Sequence, residues 1–110
     1  MGSVSSAKRV MAESKKEWVA QTINSDTVVI FSKTYCPYCK MAKEVFEKLK
    51  QGYGVIELDE RDDADEVQDI LGELTGARSV PRVFIKGEFI GGGTDVQKMY
   101  QSGELVKKLI

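Results

Sequence analysis

One stretch decides the fold of this chain: Lys33-Thr34-Tyr35-Cys36-Pro37-Tyr38-Cys39. It follows the apolar run from Val28 to Phe31 and precedes a charged, amphipathic segment from Lys40 to Lys50. This order predicts a buried strand, a tight turn and a helix, with both cysteines of the chain at the start of that helix. A Cys-x-x-Cys pair in such a position is typical of a redox-active dithiol.

The size and composition predict one globular domain. The 110 residues are 42% hydrophobic and 30% charged, with a net charge of −1, and a chain of this length can bury a core without metals or disulfides. It contains no basic block, no apolar run long enough to span a bilayer, and no secretory signal. We therefore expect a monomer in the reducing cytoplasm that binds neither nucleic acid nor a membrane.

The absence of histidine excludes several kinds of catalytic and metal site. A Cys–His dyad, a Ser–His–Asp triad and a His-ligated zinc centre all require that residue. The two cysteines alone cannot complete a tetrahedral zinc site within one chain. We therefore expect no metal in this domain.

Hydrophobic periodicity and turn residues predict the order helix, strand, helix, strand, helix, strand, strand, helix. Strands are predicted at 27–31, 55–58, 82–85 and 88–90. Capping patterns predict helix starts near Ser14, Asp63 and Thr94, and Pro37 marks the first turn of another helix. Lys86 and Gly87 give a two-residue hairpin signal between the last two strands. Residues 1–12 are predicted to be a flexible N-terminal arm, and residues 13–110 the folded domain.

These elements predict an α/β fold with a central four-stranded mixed sheet. The first two strands should pair in parallel through a crossover helix, and the final hairpin should add an antiparallel part. Helices should then cover both faces of the sheet.

The position of the two cysteines predicts different roles for them. Cys36 lies at the helix start, where unpaired N–H groups and the helix dipole favour a thiolate, and Lys33 can add a positive charge. Cys39 lies about one turn further along, close enough to reach the sulfur of Cys36, and is expected to be the less exposed, resolving thiol. The alternative is a pair of buried structural cysteines.

Three motifs, in order, carry a family resemblance. They are the stretch from Lys33 to Cys39, then Thr75-Gly76-Ala77-Arg78-Ser79-Val80-Pro81-Arg82-Val83-Phe84, then Gly91-Gly92-Gly93-Thr94-Asp95. Together they resemble the dithiol glutaredoxins of the Cys-Pro-Tyr-Cys type over residues 13–110. The resemblance implies the thioredoxin fold and the reduction of protein–glutathione mixed disulfides and protein disulfides. It also implies glutathione as co-substrate and, indirectly, glutathione reductase and NADPH.

The resemblance further implies a role for each matching residue. Cys36 corresponds to the nucleophile and Cys39 to the resolving cysteine, while Pro81 resembles the cis-proline of the family. The residues implied to contact glutathione are Lys33, Tyr38, Gln68, Val80, Pro81, Thr94 and Asp95. Of these, Val80 would pair through its backbone with the cysteinyl part, and Thr94 and Asp95 would hold the γ-glutamyl end.

Several alternatives stay open at this point. On the residues alone, Gln68 is a surface residue of the third helix, and Arg78 and Arg82 are solvated charges. Ser79 stands where the family usually has threonine, and Gly93 stands where many members have a further cysteine. Competing functions are a thioredoxin fed by a flavoprotein, a glutathione-ligated [2Fe–2S] cluster dimer, and an inactive adaptor on the same fold.

Overall fold

The structure, a computed structural model, describes the backbone of residues 3–110 and the side chains of residues 13–110. Its elements are α1 (Ser3–Ile23), β1 (Val28–Ser32), α2 (Pro37–Lys48), β2 (Gly54–Glu57), a 3₁₀ turn (Leu58–Glu60), α3 (Ala64–Thr75), β3 (Arg82–Ile85), β4 (Glu88–Gly91), α4 (Gly93–Ser102) and α5 (Glu104–Leu109). Within this described part, no helix has the length and apolar character needed to cross a membrane.

The four strands form one mixed sheet in the order β2-β1-β3-β4. β1 and β2 are parallel, with Phe31 opposite Ile56, whereas β1–β3 and β3–β4 are antiparallel. The predicted crossover and hairpin are therefore confirmed. Lys86 and Gly87 both have positive φ (52° and 82°), as a two-residue hairpin turn that follows the strand twist requires.

Two hydrophobic cores lie on opposite faces of the sheet. Val28 and Ile30 of β1 point to a core formed with α2, α4 and α5, in which Phe46 is fully buried. Val29 and Phe31 point the other way, to a core formed with α1 and α3. The run from Val28 to Phe31 has no polar alternation because helices cover both sides of β1.

α1 begins at Ser3, so the prediction of a short helix starting near Ser14 was wrong. Residues 3–23 contain neither glycine nor proline, and nothing in their backbone chemistry interrupts a helix before the capping pattern. Residues 1 and 2 and the side chains of 3–12 lie outside the described residues. The flexibility assigned to residues 1–12 stays a prediction.

The predicted side-chain cap of α3 was also wrong. Asp63 occupies the N-cap position but makes no capping hydrogen bond. Its carboxylate instead binds Arg61 and Lys15, while the guanidinium of Arg61 and the ammonium of Lys15 lie 4.2 and 5.8 Å from the ring centroid of Trp18. Through Lys15 and Trp18 of α1, this cluster connects α1 to the start of α3.

Candidate active site

Cys36 lies between the end of β1 and the start of α2. It is the N-cap residue of α2, followed by Pro37 in the first turn, where a missing N–H costs no helical hydrogen bond. The sulfur of Cys36 accepts a hydrogen bond from the backbone N–H of Cys39 at 3.3 Å. Because this N–H is one of the unpaired donors of the helix start, it favours negative charge on the sulfur.

The two thiols have different surroundings. Both are free, but Cys36 is partly exposed, whereas Cys39 is fully buried. Burial, with a smaller effect from the neighbouring Cys36 sulfur, raises the pKa of the Cys39 thiol to about 11. Cys39 is therefore held as a neutral thiol near neutral pH, as expected for a resolving cysteine that gives up its proton only when it attacks a disulfide formed at Cys36.

The loop before β3 faces the sulfur of Cys36. Arg82 begins β3 opposite Phe31 of β1, which places the preceding residues beside the turn that follows β1. The Val80–Pro81 peptide bond is cis, as predicted, and the carbonyl oxygen of Val80 lies 3.8 Å from the Cys36 sulfur. Cys36 and this loop thus share one edge of the sheet.

An open groove of about 290 Å³ runs beside this loop. Its lining comes from Tyr38, from the loop residues 79–82 and from residues 92–95 at the start of α4. Asp95 accepts the backbone N–H of Gly92 at 2.9 Å. The helix therefore begins after Gly92 with Asp95 as its capping carboxylate, and the prediction of Thr94 as the N-cap was wrong, although Thr94 does line the groove.

Gly93 brings α4 against the first turn of α2. A Cβ at this position would lie 2.6 Å from the carbonyl oxygen of Tyr38, closer than real Cβ atoms approach a backbone oxygen, and in tight contact with the Tyr38 Cβ at 3.2 Å. The glycine at 93 is therefore what allows the two helix starts to close the groove around Tyr38.

Comparison with known proteins identifies the family of the chain. The family model described as Glutaredoxin matches residues 28–90. Glutaredoxin-C4 of Arabidopsis thaliana is 48% identical over 106 residues, which cover 96% of this chain and 78% of that protein. The chain belongs to the glutaredoxin family.

Solved glutaredoxin structures have the same architecture. Oxidized glutaredoxin 2 from Chlamydomonas reinhardtii matches with a TM-score of 0.84 and 43% identity, over 89% of this chain and 92% of that one. A buckwheat glutaredoxin–glutathione complex matches with a TM-score of 0.85 and 42% identity, over 89% of each chain. This glutaredoxin therefore has the thioredoxin fold and is a glutathione-dependent thiol oxidoreductase.

Two of the residues implied to contact glutathione do not line the groove of this glutaredoxin. Lys33 is half-exposed in the turn before Cys36. Gln68 is only 8% exposed, and its amide donates to the carbonyl of Arg78 at 2.9 Å. The interpretation of Gln68 as a surface residue was wrong, because a buried amide needs a partner and finds one in the loop before β3.

The sequence suggested that both arginines near the loop are solvated charges; Arg78 is indeed exposed, whereas Arg82 is partly buried. Arg78 pairs with Asp69 at 2.7 Å and more distantly with Asp65. Arg82 stacks over Phe89 at 4.9 Å and donates to the carbonyl of Pro81 at 3.2 Å. Burial lowers the pKa of Arg82, and the carboxylate of Asp95 partly opposes that effect.

Sequence reasoning missed Asp59, which contacts the active-site turn. Its carboxylate accepts the backbone N–H of Thr34 at 2.9 Å and also the hydroxyl of Thr34. Asp59 is the second residue after the end of β2, and carboxyl ends of neighbouring parallel strands meet at the same edge of a sheet. The predicted parallel pairing of β1 and β2 was the available signal.

Among the residues whose side chains the structure describes, no three His, Cys, Asp or Glu side chains come together as a metal site. The only thiols in residues 13–110 are those of Cys36 and Cys39. A [2Fe–2S] cluster would therefore need ligands from outside this part of the chain.

Proposed function

We propose that this glutaredoxin reduces protein–glutathione mixed disulfides at Cys36 and reduces protein disulfides with the help of Cys39. One observation carries the proposal: the sulfur of Cys36 is partly exposed at a helix N-terminus beside the groove, whereas Cys39 is buried. A mixed disulfide can reach Cys36 directly, but it cannot reach Cys39.

Glutathione is the ligand whose chemistry suits the groove, and the buckwheat relative is described in complex with it. The carbonyl of Val80 faces Cys36, so the cysteinyl part of glutathione would lie along this backbone. The start of α4 supplies N–H groups for a carboxylate. The exposed carboxylate of Asp95, in the first turn of α4, would bind the ammonium of the γ-glutamyl end.

The other implied contacts have different geometry. Lys33, in the turn that precedes Cys36, is half-exposed and would attract the glycine carboxylate of glutathione. Gln68 would act indirectly, because its amide supports the loop through the carbonyl of Arg78. Tyr38, 56% exposed, would pack against the ligand along one wall of the groove.

The reaction begins when the Cys36 thiolate attacks the glutathione sulfur of a mixed disulfide. A Cys36–glutathione disulfide forms, the original S–S bond breaks, and the released protein thiolate takes up a proton. A glutathione thiolate then attacks the glutathione sulfur carried by Cys36, which gives glutathione disulfide and restores the Cys36 thiolate. The Cys39 N–H and the helix start stabilise that thiolate each time it leaves.

A protein disulfide takes a second route. The Cys36 thiolate attacks one sulfur of the target disulfide, so that the S–S bond breaks and the second sulfur of the target is released as a thiolate that takes up a proton. Cys39 then loses its proton and attacks the sulfur of Cys36. The target leaves as a thiolate that takes up a proton, and an intramolecular Cys36–Cys39 disulfide forms. Two glutathione molecules reduce this disulfide and become glutathione disulfide.

The proposal is tested with a glutathionylated peptide, glutathione, glutathione reductase and NADPH. We expect the Cys39→Ser variant to retain turnover and the Cys36→Ser variant to have none. Attack by Cys36 starts both routes, whereas Cys39 takes part only in the reduction of protein disulfides. Turnover that persists in Cys36→Ser, or that requires thioredoxin reductase in place of glutathione, would contradict the proposal.

A matched pair of variants tests the binding groove. Asp95→Asn keeps an acceptor for the Gly92 N–H but removes the charge for the ammonium, so KM for the glutathionylated peptide should rise several-fold with kcat little changed. Glu104→Gln removes an equivalent charge from the first turn of α5 and should leave KM unchanged.

The monomeric state and the cytoplasmic location stay predictions from the sequence.

A further inference from the structure

We propose that Asp59 is a positioning residue that fixes the active-site turn through two hydrogen bonds to Thr34. The carboxylate accepts both the backbone N–H of Thr34, at 2.9 Å, and its hydroxyl. Thr34 is two positions before the nucleophile. None of the residues assigned to the reaction or to glutathione makes this contact.

The hydrogen bonds connect the turn to a rigid part of the fold. Asp59 lies in the 3₁₀ turn that directly follows β2, next to Leu58, which is fully buried in the core. The backbone N–H of Arg61 closes this turn on the carbonyl of Leu58 at 3.1 Å. A carboxylate held in this way has little freedom, although its own side chain is exposed.

The restraint passes to Cys36 through a single turn. The N–H of Cys36 donates to the carbonyl of Lys33 at 3.1 Å, so the segment from Lys33 to Cys36 moves as one unit. When Asp59 holds Thr34, it also holds the Cys36 sulfur at the start of α2, 3.3 Å from the N–H of Cys39. Without that hold, the sulfur would spend less time where the helix start favours the thiolate.

The electrostatics agree with this geometry. The hydroxyl and the N–H of Thr34 hold the pKa of the Asp59 carboxyl below its usual value, and the charge of Lys33 adds a smaller effect. The carboxylate is thus ionised over the working pH range. A negative charge near the nucleophile would by itself disfavour a thiolate, so its benefit must come from position.

Two variants of Asp59, one variant of Thr34 and a control separate the effect of position from that of charge. Asp59→Ala removes both hydrogen bonds, whereas Asp59→Asn removes the charge but keeps an oxygen for the N–H and an amide that can donate to the hydroxyl. Asp62→Ala is the control, because Asp62 is exposed three positions away and makes no hydrogen bond or ion pair with residues 13–110. Thr34→Val removes only the hydroxyl and tests the pair from the other side.

The measurement is the second-order rate constant for alkylation of Cys36 by iodoacetamide at neutral pH, with the melting temperature of each variant. The inference extends the proposed function, but alkylation needs no glutathione, so failure of the glutathione route would leave this test intact. We expect Asp59→Ala to react about tenfold more slowly than wild type, since small misplacements of a reacting group have effects of this size or larger. Thr34→Val should show part of that loss.

The variants together decide the question. Alkylation of Asp59→Asn and Asp62→Ala close to the wild-type rate would support positioning through the hydrogen bonds. Equal rates for Asp59→Ala and Asp62→Ala, or an equal loss in Asp59→Asn and Asp59→Ala, would overturn it. Should Asp59→Ala fail to fold, Thr34→Val carries the test alone, and a wild-type rate in that variant would overturn the proposal.

Discussion

The backbone N–H of Cys39 donates to the sulfur of Cys36 across 3.3 Å, so the two thiols meet at the start of α2 while facing different surroundings. Cys36 is partly exposed to solvent, and Cys39 is fully buried. The same helix turn therefore exposes one thiol to solvent and buries the other. This asymmetry has a direct chemical consequence.

We expect iodoacetamide at neutral pH to modify Cys36 alone in the folded protein and both cysteines after denaturation. Burial hides Cys39 and raises its pKa to about 11, so almost none of it is thiolate at pH 7. Peptide mass spectrometry locates the label. As a control, the folded Cys36→Ser variant should react very slowly; rapid labelling of Cys39 there would contradict the assignment.

The contact between Gly93 and Tyr38 gives a second prediction. Gly93→Ala should lower the free energy of unfolding by about 1–3 kcal/mol, because a Cβ 2.6 Å from the Tyr38 carbonyl oxygen forces α4 and α2 apart. KM for glutathionylated peptide should rise as the groove widens. Urea denaturation measures the first effect and steady-state kinetics the second.

Gly52→Ala is the matched control for that variant. Gly52 is exposed, and a Cβ there would meet nothing within 4 Å, so the substitution should be neutral or slightly stabilising. If the two glycine variants had equal stability, the close approach at Gly93 would not be a constraint on the fold.

The sheet and most helices could be predicted because their signals are local. The unbroken apolar run from Val28 to Phe31 indicates a strand that is buried on both faces of the sheet, and Lys86–Gly87 indicates a hairpin turn. The start of α1 could not be predicted in this way. A capping pattern at Ser14 is compatible with a helix interior, and only residues that stop a helix would have marked a boundary.

The position of the two cysteines at a helix start and the cis-proline loop could be predicted because each is a contiguous motif. The roles of Gln68, Arg82 and Asp59 depend on partners that are distant in sequence. Gln68 is buried by the loop that it supports, and Asp59 reaches Thr34 only because β1 and β2 are parallel neighbours. A single sequence shows that these side chains are present, but it does not show which distant residues they contact.

The cluster around Asp63 predicts a loss of stability in acid. Arg61 hydrogen-bonds the carboxylate at 2.8 and 2.9 Å, Lys15 binds it as well, and together they hold its pKa well below the usual range. The stabilisation is present above the unfolded pKa of about 4 and is lost as pH falls further, because only the unfolded chain readily takes up the proton.

We therefore expect Asp63→Asn to be less stable by about 1 kcal/mol at pH 7 and to lose less stability than wild type between pH 4 and pH 2.5. Urea denaturation at several pH values measures both quantities. Asp62→Asn removes the charge of the neighbouring residue and should show the same dependence of stability on pH as wild type. An Asp63→Asn curve parallel to wild type in acid would show that this carboxylate is not the group responsible.

The protein is also expected to lose stability in alkali, because Cys39 and Tyr53 keep their protons to higher pH in the folded protein than in the unfolded chain. Burial raises the pKa of Cys39 to about 11, and burial with the hydrogen bond from Tyr53 to Glu47, at 2.6 Å, raises that of Tyr53 to about 12. Their unfolded values are about 8.5 and 10. Between each pair of values the unfolded chain has lost a proton that the folded protein keeps, so the free energy of unfolding falls as pH rises.

Single substitutions separate the two contributions. We expect Cys39→Ser to flatten the decline that begins near pH 8.5, and Tyr53→Phe to flatten only the part above about pH 10. Guanidinium denaturation at pH 7, 9 and 10.5 gives the slopes independently of any constant offset caused by the substitution. A Cys39→Ser protein that lost stability as steeply as wild type between pH 8.5 and 10 would mean that the buried thiol does not keep its proton in the folded state, and the resolving role assigned to it would lose its physical basis.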